Sequence, residues 1–270
     1  MGTSAFWTRR VIWAALATVV VGLTLRPVTL PMQVSPPALN LYRAVERIPP
    51  GKLLLITADW EAGTKGENSP QAAALLRHAF KRGIPVAIVG FNYPAGPMLT
   101  GDLARRIAPQ YGRKYGVDWV NWGFLTGSSQ ALIALARDIP GTVRKDAYGK
   151  PLERIPMMAK IHDIHDVGMI VDVTPSLTVP MFIRYIYGIY RTPIGYACTG
   201  VMAPEAFPYL DSGQLVGLLK GLTGAAEYET LVGSPGEAVA RMPAQSFAHL
   251  LVILLIVAGN VAYLRGRRAS

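Results

Sequence analysis

Apolar residues run through this chain in two patterns. At each end they form one long unbroken stretch: VIWAALATVVVGLTL, Val11 to Leu25, behind Thr8-Arg9-Arg10, and FAHLLVILLIVAGNVAYL, Phe247 to Leu264, ahead of Arg265, Arg267 and Arg268. Between them the runs are short and rich in β-branched residues, and they alternate with stretches whose apolar positions recur at helical spacing. The ends predict membrane helices and the middle a folded domain.

The C-terminal run would rise about 27 Å as a helix, close to the thickness of a bilayer's hydrocarbon core, and no charge interrupts it. The basic cluster after it places that end in the cytoplasm by the positive-inside tendency. The N-terminal run has the basic and apolar regions of a signal sequence or signal anchor. Because Arg26-Pro27-Val28-Thr29-Leu30-Pro31 follows instead of a small-x-small cleavage site, the segment is expected to be retained. Two spans imply a two-pass protein of the bacterial inner membrane. Residues 1–10 and 265–270 would be cytoplasmic, residues 11–26 and 247–264 transmembrane, and residues 52–233 a periplasmic domain.

Residues 27–51 hold six prolines and predict a stiff linker. Within it Leu41, Ala44, Val45 and Ile48 fall at i, i+3, i+4, i+7, so Ala38 to Ile48 reads as a short amphipathic helix that either caps the domain or lies on the membrane surface. The domain then reads strand Leu53–Ala58, helix Pro70–Arg82, strand Pro85–Phe91, helix Leu99–Tyr111, strand Asp118–Phe124, and a helix opening at Thr126-Gly127-Ser128-Ser129. Strand Met169–Val173, helix Leu177–Tyr190, strand Ile194–Cys198 and helix Ser212–Leu231 complete it, before a second linker over residues 234–246. Continuous apolar strands joined by helices predict an α/β fold: an open, doubly wound, mostly parallel sheet of about five strands, Rossmann-like or flavodoxin-like.

Composition sharpens this picture. The formal charge of +10 falls to about +4 once the six arginines flanking the terminal runs are set aside, so no nucleic-acid surface is expected. The single cysteine, Cys198, cannot form an internal disulfide and reads as a buried apolar residue.

In an open α/β sheet ligands bind beyond the carboxyl ends of the strands, which makes Asp59, Glu61, Ser128, Ser129, Asp172, Ser176 and Thr199 the candidate ligand-binding residues. Asp59 with Glu61 could act as an acid–base pair or cation site, or be solvated loop acids. Thr126 to Ser129 could seat an anion or simply cap a helix; neither G-x-x-x-x-G-K-[ST] nor G-x-G-x-x-G surrounds it. Asp172, inside an apolar run, either faces the crevice or pairs with a buried base. His162 and His165 in His162-Asp163-Ile164-His165-Asp166 are candidate metal ligands or parts of a polar loop. Gly213, Gly217, Gly221 and Ala225 repeat every four residues and predict a small-residue ridge, packed on the sheet or on another subunit. His249 and Asn260 are polar near the ends of the membrane run and could bond across helices or sit at the interface.

Tyr209-Leu210-Asp211-Ser212-Gly213-Gln214-Leu215, the glycine-rich stretch after it and Ala244-Gln245-Ser246-Phe247-Ala248-His249 resemble a family of bacterial two-pass membrane proteins with an extracytoplasmic α/β domain. The resemblance implies topology and no activity. No catalytic constellation is complete and no cofactor is expected, so the sequence favours a non-enzymatic membrane-anchored subunit or scaffold. Its partners would be the lipid bilayer and other membrane proteins or copies of itself. The alternatives are a membrane-tethered small-ligand sensor and a metal-dependent hydrolase.

Overall fold

The computed structural model describes residues 3–25 and 32–268. Residues 33–238 form one body, and the terminal helices α1 (Thr3–Leu25) and most of α11 (Glu237–Arg268) belong to a second. Residues 1–2, the last residue of the predicted first span (26), residues 27–31 of the first linker and the last two residues of the basic tail lie outside the described residues.

The first body opens with α2 (Pro36–Glu46), then β1 (Leu53–Ala58), α3 (Lys65–Arg82), β2 (Val86–Gly90), α4 (Ala95–Ile107), β3 (Trp119–Phe124), α5 (Ser129–Arg137) and α6 (Ile139–Val143). Three 3-10 turns lead to β4 (Val167–Thr174), after which α7 (Val179–Phe182) passes through a π-helical turn (Ile183–Tyr187) into α8 (Gly188–Tyr190). The chain then forms β5 (Ile194–Cys198), α9 (Ala203–Asp211), β6 (Gly217–Lys220) and α10 (Gly221–Val232).

The six strands form one all-parallel sheet in the order β3-β2-β1-β4-β5-β6. This is the order of a doubly wound dinucleotide-type sheet, with the reversal between β1 and β4, and it differs from the flavodoxin order. Alternate strand residues feed two cores. Leu54, Ile56, Val171 and Leu219 pack under α2, α3, α4 and α10, whereas Leu53, Leu55, Ile170 and Leu218 pack under α5, α6, α7 and α9. Both faces are covered, so every residue of β1 is buried and the strands read as unbroken apolar runs.

The structure adds one strand to the five expected and divides the predicted helix Ser212–Leu231. Gly213, at φ +73°, turns the chain out of α9; Gly217 lies in β6; Gly221, at φ +55°, starts α10. Ala225 sits in α10, so the four do not form a ridge, and their spacing reflects separate backbone demands. At Gly217 that demand is proximity: a Cβ would lie 2.4 Å from the backbone nitrogen of Leu41, so α2 settles onto β6 only over a glycine. The amphipathic helix therefore caps the domain, burying Ala38, Leu41 and Val45.

The predicted second linker is largely helical, because α11 begins at Glu237. Its first turn is built into the domain: buried Glu229 of α10 accepts from the N–H groups of Gly236 at 2.9 Å and Ala238 at 3.3 Å. Glu227, two residues earlier, accepts from the N–H and hydroxyl of Ser35 at the start of α2. Pro243 and Ala244 are buried, and from Phe247 to Leu264 α11 is uncharged and mostly exposed, its most apolar 18 residues averaging a hydropathy of 2.2 with none of them buried. Among the described residues it is the helix long and apolar enough to cross a bilayer. His249 and Asn260 both lie on it, and Asn260 Nδ2 donates back to the Ile256 carbonyl at 2.9 Å.

Candidate functional site

The reversal between β1 and β4 brings two carboxylates to the carboxyl end of the sheet. Asp59 follows β1, and Asp172 lies in β4 in register with Thr57. Residues in register in a parallel pair point to the same face, and Asp59 is two positions beyond Thr57, so both acids enter the α5–α7 side. Both are fully buried.

Asp59 is bound by the loop that leaves β2. Its Oδ1 accepts from the N–H groups of Phe91 and Asn92 at 2.7 Å and of Tyr93 at 3.4 Å, and Oδ2 accepts from Asn92 Nδ2 at 3.3 Å. Asp172 is bound by hydroxyls: Thr57 Oγ1 donates at 2.6 Å and Thr178 Oγ1 makes a second short bond. A polar lid continues from it. Tyr196, beside Asp172 on β5, donates to the Ser176 carbonyl at 2.5 Å; Ser176 Oγ meets Tyr93 Oη at 2.9 Å.

Burial raises the pKa of both acids, and the charge of Asp59 raises Asp172 further, to about 8; the Thr178 and Thr57 hydrogen bonds only partly offset this. Backbone N–H groups can only donate and therefore favour an anion, whereas hydroxyls serve either protonation state. The extra proton accordingly belongs on Asp172, and Asp59 carries the charge. Burial also pushes the Cys198 thiol up, to about 12, which leaves it unreactive.

This arrangement encloses the acids rather than presenting them. Trp60, 1% exposed, packs immediately beyond β1 with its Nε1 donating to Thr100 Oγ1 at 3.0 Å. Gly96 of α4 closes against the same strand end, where a Cβ would stand 1.9 Å from the Ala58 carbonyl oxygen. Glu61 is solvent-exposed while Asp59 turns inward, so the two do not form the acid–base pair or cation site that their spacing suggests. Ser128, at φ +41°, donates to Asn92 Oδ1 at 3.0 Å in a solvent-exposed bond, and its side chain does not cap α5. Ser129 is the first residue of α5, and neither serine has an imidazole partner.

Thr199 lies apart from this network. Its neighbour Gly200 donates to Glu67 Oε2 at 2.7 Å, and Gln71 Nε2 ties together the carbonyls of Cys198, Leu219 and Gly221 at 2.8–3.2 Å. Thr199 Oγ1 and Asn68 Oδ1 are buried without partners.

His162 and His165 do not form a metal site; among the described residues no group of three potential ligands converges. His165 is exposed and bonds Asp163 at 3.0 Å, and Asp166 accepts from the His162 N–H and pairs with Lys52 at 3.4 Å. These residues form the polar loop into β4.

The single polar residue in LLLITA, Thr57, was a legible signal for the carboxylate network. Thr178 and Tyr196 join it only through register and loop closure. No family model matches this chain, and comparisons with curated proteins and with solved structures return no match.

Proposed function

We propose that the chain is a non-enzymatic, membrane-anchored subunit or scaffold of the bacterial inner membrane, with both termini cytoplasmic and the α/β domain docking partners on the other side. One observation carries this reading: α11 is long and apolar enough to cross a bilayer, and none of its apolar stretch is buried. In this reading the second span is the apolar run Val11 to Leu25 of α1, a short one preceded by Arg9 and Arg10. The carboxylates argue in the same direction, because both are fully buried and bonded within the domain.

Crosslinking in native membranes, with a tag after Ser270 and identification of what is recovered, tests the proposal. A reproducible set of membrane proteins is expected. Recovery of the chain alone and as a monomer would overturn the subunit reading, and digestion of that tag by protease added outside intact spheroplasts would overturn the topology.

A further inference from the structure

The amino end of the sheet is open where the carboxyl end is closed. A cavity of about 640 Å³ lies below β1, β4, β5 and β6, between α2 and the segment joining α8 to β5. Such a volume falls within the range of small-molecule sites. Its walls carry Arg43 of α2 and Arg47 just after that helix, Lys52 ahead of β1, His165 ahead of β4, and Tyr190 with Thr192 ahead of β5. Gly168 forms part of the floor: a Cβ there would come 2.7 Å from Ile48 and 3.0 Å from the Lys52 Cβ, so Lys52 is held close by a glycine.

The charges at this cavity are unbalanced. Arg43 and Arg47 are one helical turn apart, and the acid between them is engaged elsewhere, since Glu46 binds His78 Nε2 at 2.7 Å and Arg82 at 3.1 Å. Among the described residues neither guanidinium makes a hydrogen bond or ion pair. Only Lys52 has an acid on it, Asp166 at 3.4 Å, and Asp163 is occupied with the His165 side chain. Like charges at i, i+4 repel, and the carboxyl end of α2 offsets this only through its dipole. Apolar walls around cations in a concave site strengthen the positive field.

The geometry points to an anion-binding site. We propose that the cavity takes the phosphate ester of a small polyol, either free or as the headgroup of an anionic phospholipid. Two guanidinium groups suit phosphate oxygens, Asn40 and Tyr190 supply neutral hydrogen-bonding groups for hydroxyls, and the volume exceeds what a bare phosphate ion would fill.

Hydrogen exchange on the full chain in neutral detergent micelles tests this, reading the segments 40–52 and 164–168. Glycerol phosphate is titrated in one arm, and phosphatidylglycerol or phosphatidylcholine is mixed into the micelles in the other. Protection by glycerol phosphate identifies a soluble ester, and protection by phosphatidylglycerol alone identifies the lipid headgroup. Joint substitution Arg43→Glu and Arg47→Glu should weaken binding at least about tenfold, and the milder Arg43→Gln with Arg47→Gln should weaken it less with the far-ultraviolet circular dichroism unchanged. Arg106→Glu, in the last turn of α4 and not among the residues that line the cavity, should leave binding intact. Absence of protection in both arms overturns the proposal. So does equal protection by uncharged glycerol or by phosphatidylcholine, or binding that survives both arginine substitutions.

Discussion

The two ends of the sheet treat charge in opposite ways. At the carboxyl end Asp59 and Asp172 are fully buried and each carboxylate oxygen accepts at least one hydrogen bond. At the amino end Arg43 and Arg47 stand exposed around a cavity, without an ion pair among the described residues. A buried charge must be neutralised or bonded to be tolerated, and once it is, it has little left to offer a ligand. An exposed cation in a concave wall keeps its full donor capacity. The strand order alone would put binding at the reversal point, but here the reversal point is where the fold is locked together.

The largest effect that could break this comparison is expected at Asp59. Replacing it by alanine strands the N–H groups of Phe91 and Asn92, both bonded at 2.7 Å, inside the structure. A loss of about 3–5 kcal/mol is expected in urea unfolding of the full chain in detergent, the sum of two unsatisfied donors and a lost charge-assisted contact. A loss under about 1 kcal/mol would mean that the loop stands without the carboxylate and that Asp59 is available for another role.

Asp172 sharpens the same point through pH. Its carboxyl titrates near 3.8 when unperturbed and near 8 in the folded protein, so between those values the folded state holds a proton that the unfolded state has lost. Stability from this group is complete below the unfolded value and declines as pH rises through about 8. Unfolding midpoints measured across that window should fall with pH in the native protein. Asp172→Asn keeps a neutral side chain between Thr57 and Thr178 and should flatten the profile. An unchanged slope would place the titration elsewhere.

Much of this fold was legible because strands buried on both faces leave continuous apolar runs: Leu53–Ala58 and Ile194–Cys198 are observed at the limits their sequence suggests. β6 was not, because Gly217-Leu218-Leu219-Lys220 is too short for its period to distinguish strand from helix. Only the structure shows that Leu218 and Leu219 face different cores. At the site, Asp172 was conspicuous as a carboxylate in an apolar strand, but sequence could not reveal that hydroxyls rather than a base would hold it. The amino-end cavity was invisible for another reason. Parallel pairing sets Leu53 beside Val167 and so brings Lys52 to the His165 loop across more than a hundred residues, a contact with no local signature.

The smallest expected effect completes the contrast. Arg43 is exposed, lies one turn from the like charge of Arg47, and makes no ion pair among the described residues, so Arg43→Gln removes repulsion and leaves nothing buried unsatisfied. Unfolding free energy should change by no more than about 0.5 kcal/mol, with any gain largest at low ionic strength, where repulsion is least screened. The same substitution should weaken anion binding. A side chain that contributes to binding while contributing nothing to stability is what an unfilled charge site predicts. If Arg43→Gln instead destabilised the domain by more than about 1 kcal/mol, the guanidinium would have to be part of the fold, and the two ends of the sheet would no longer differ in kind.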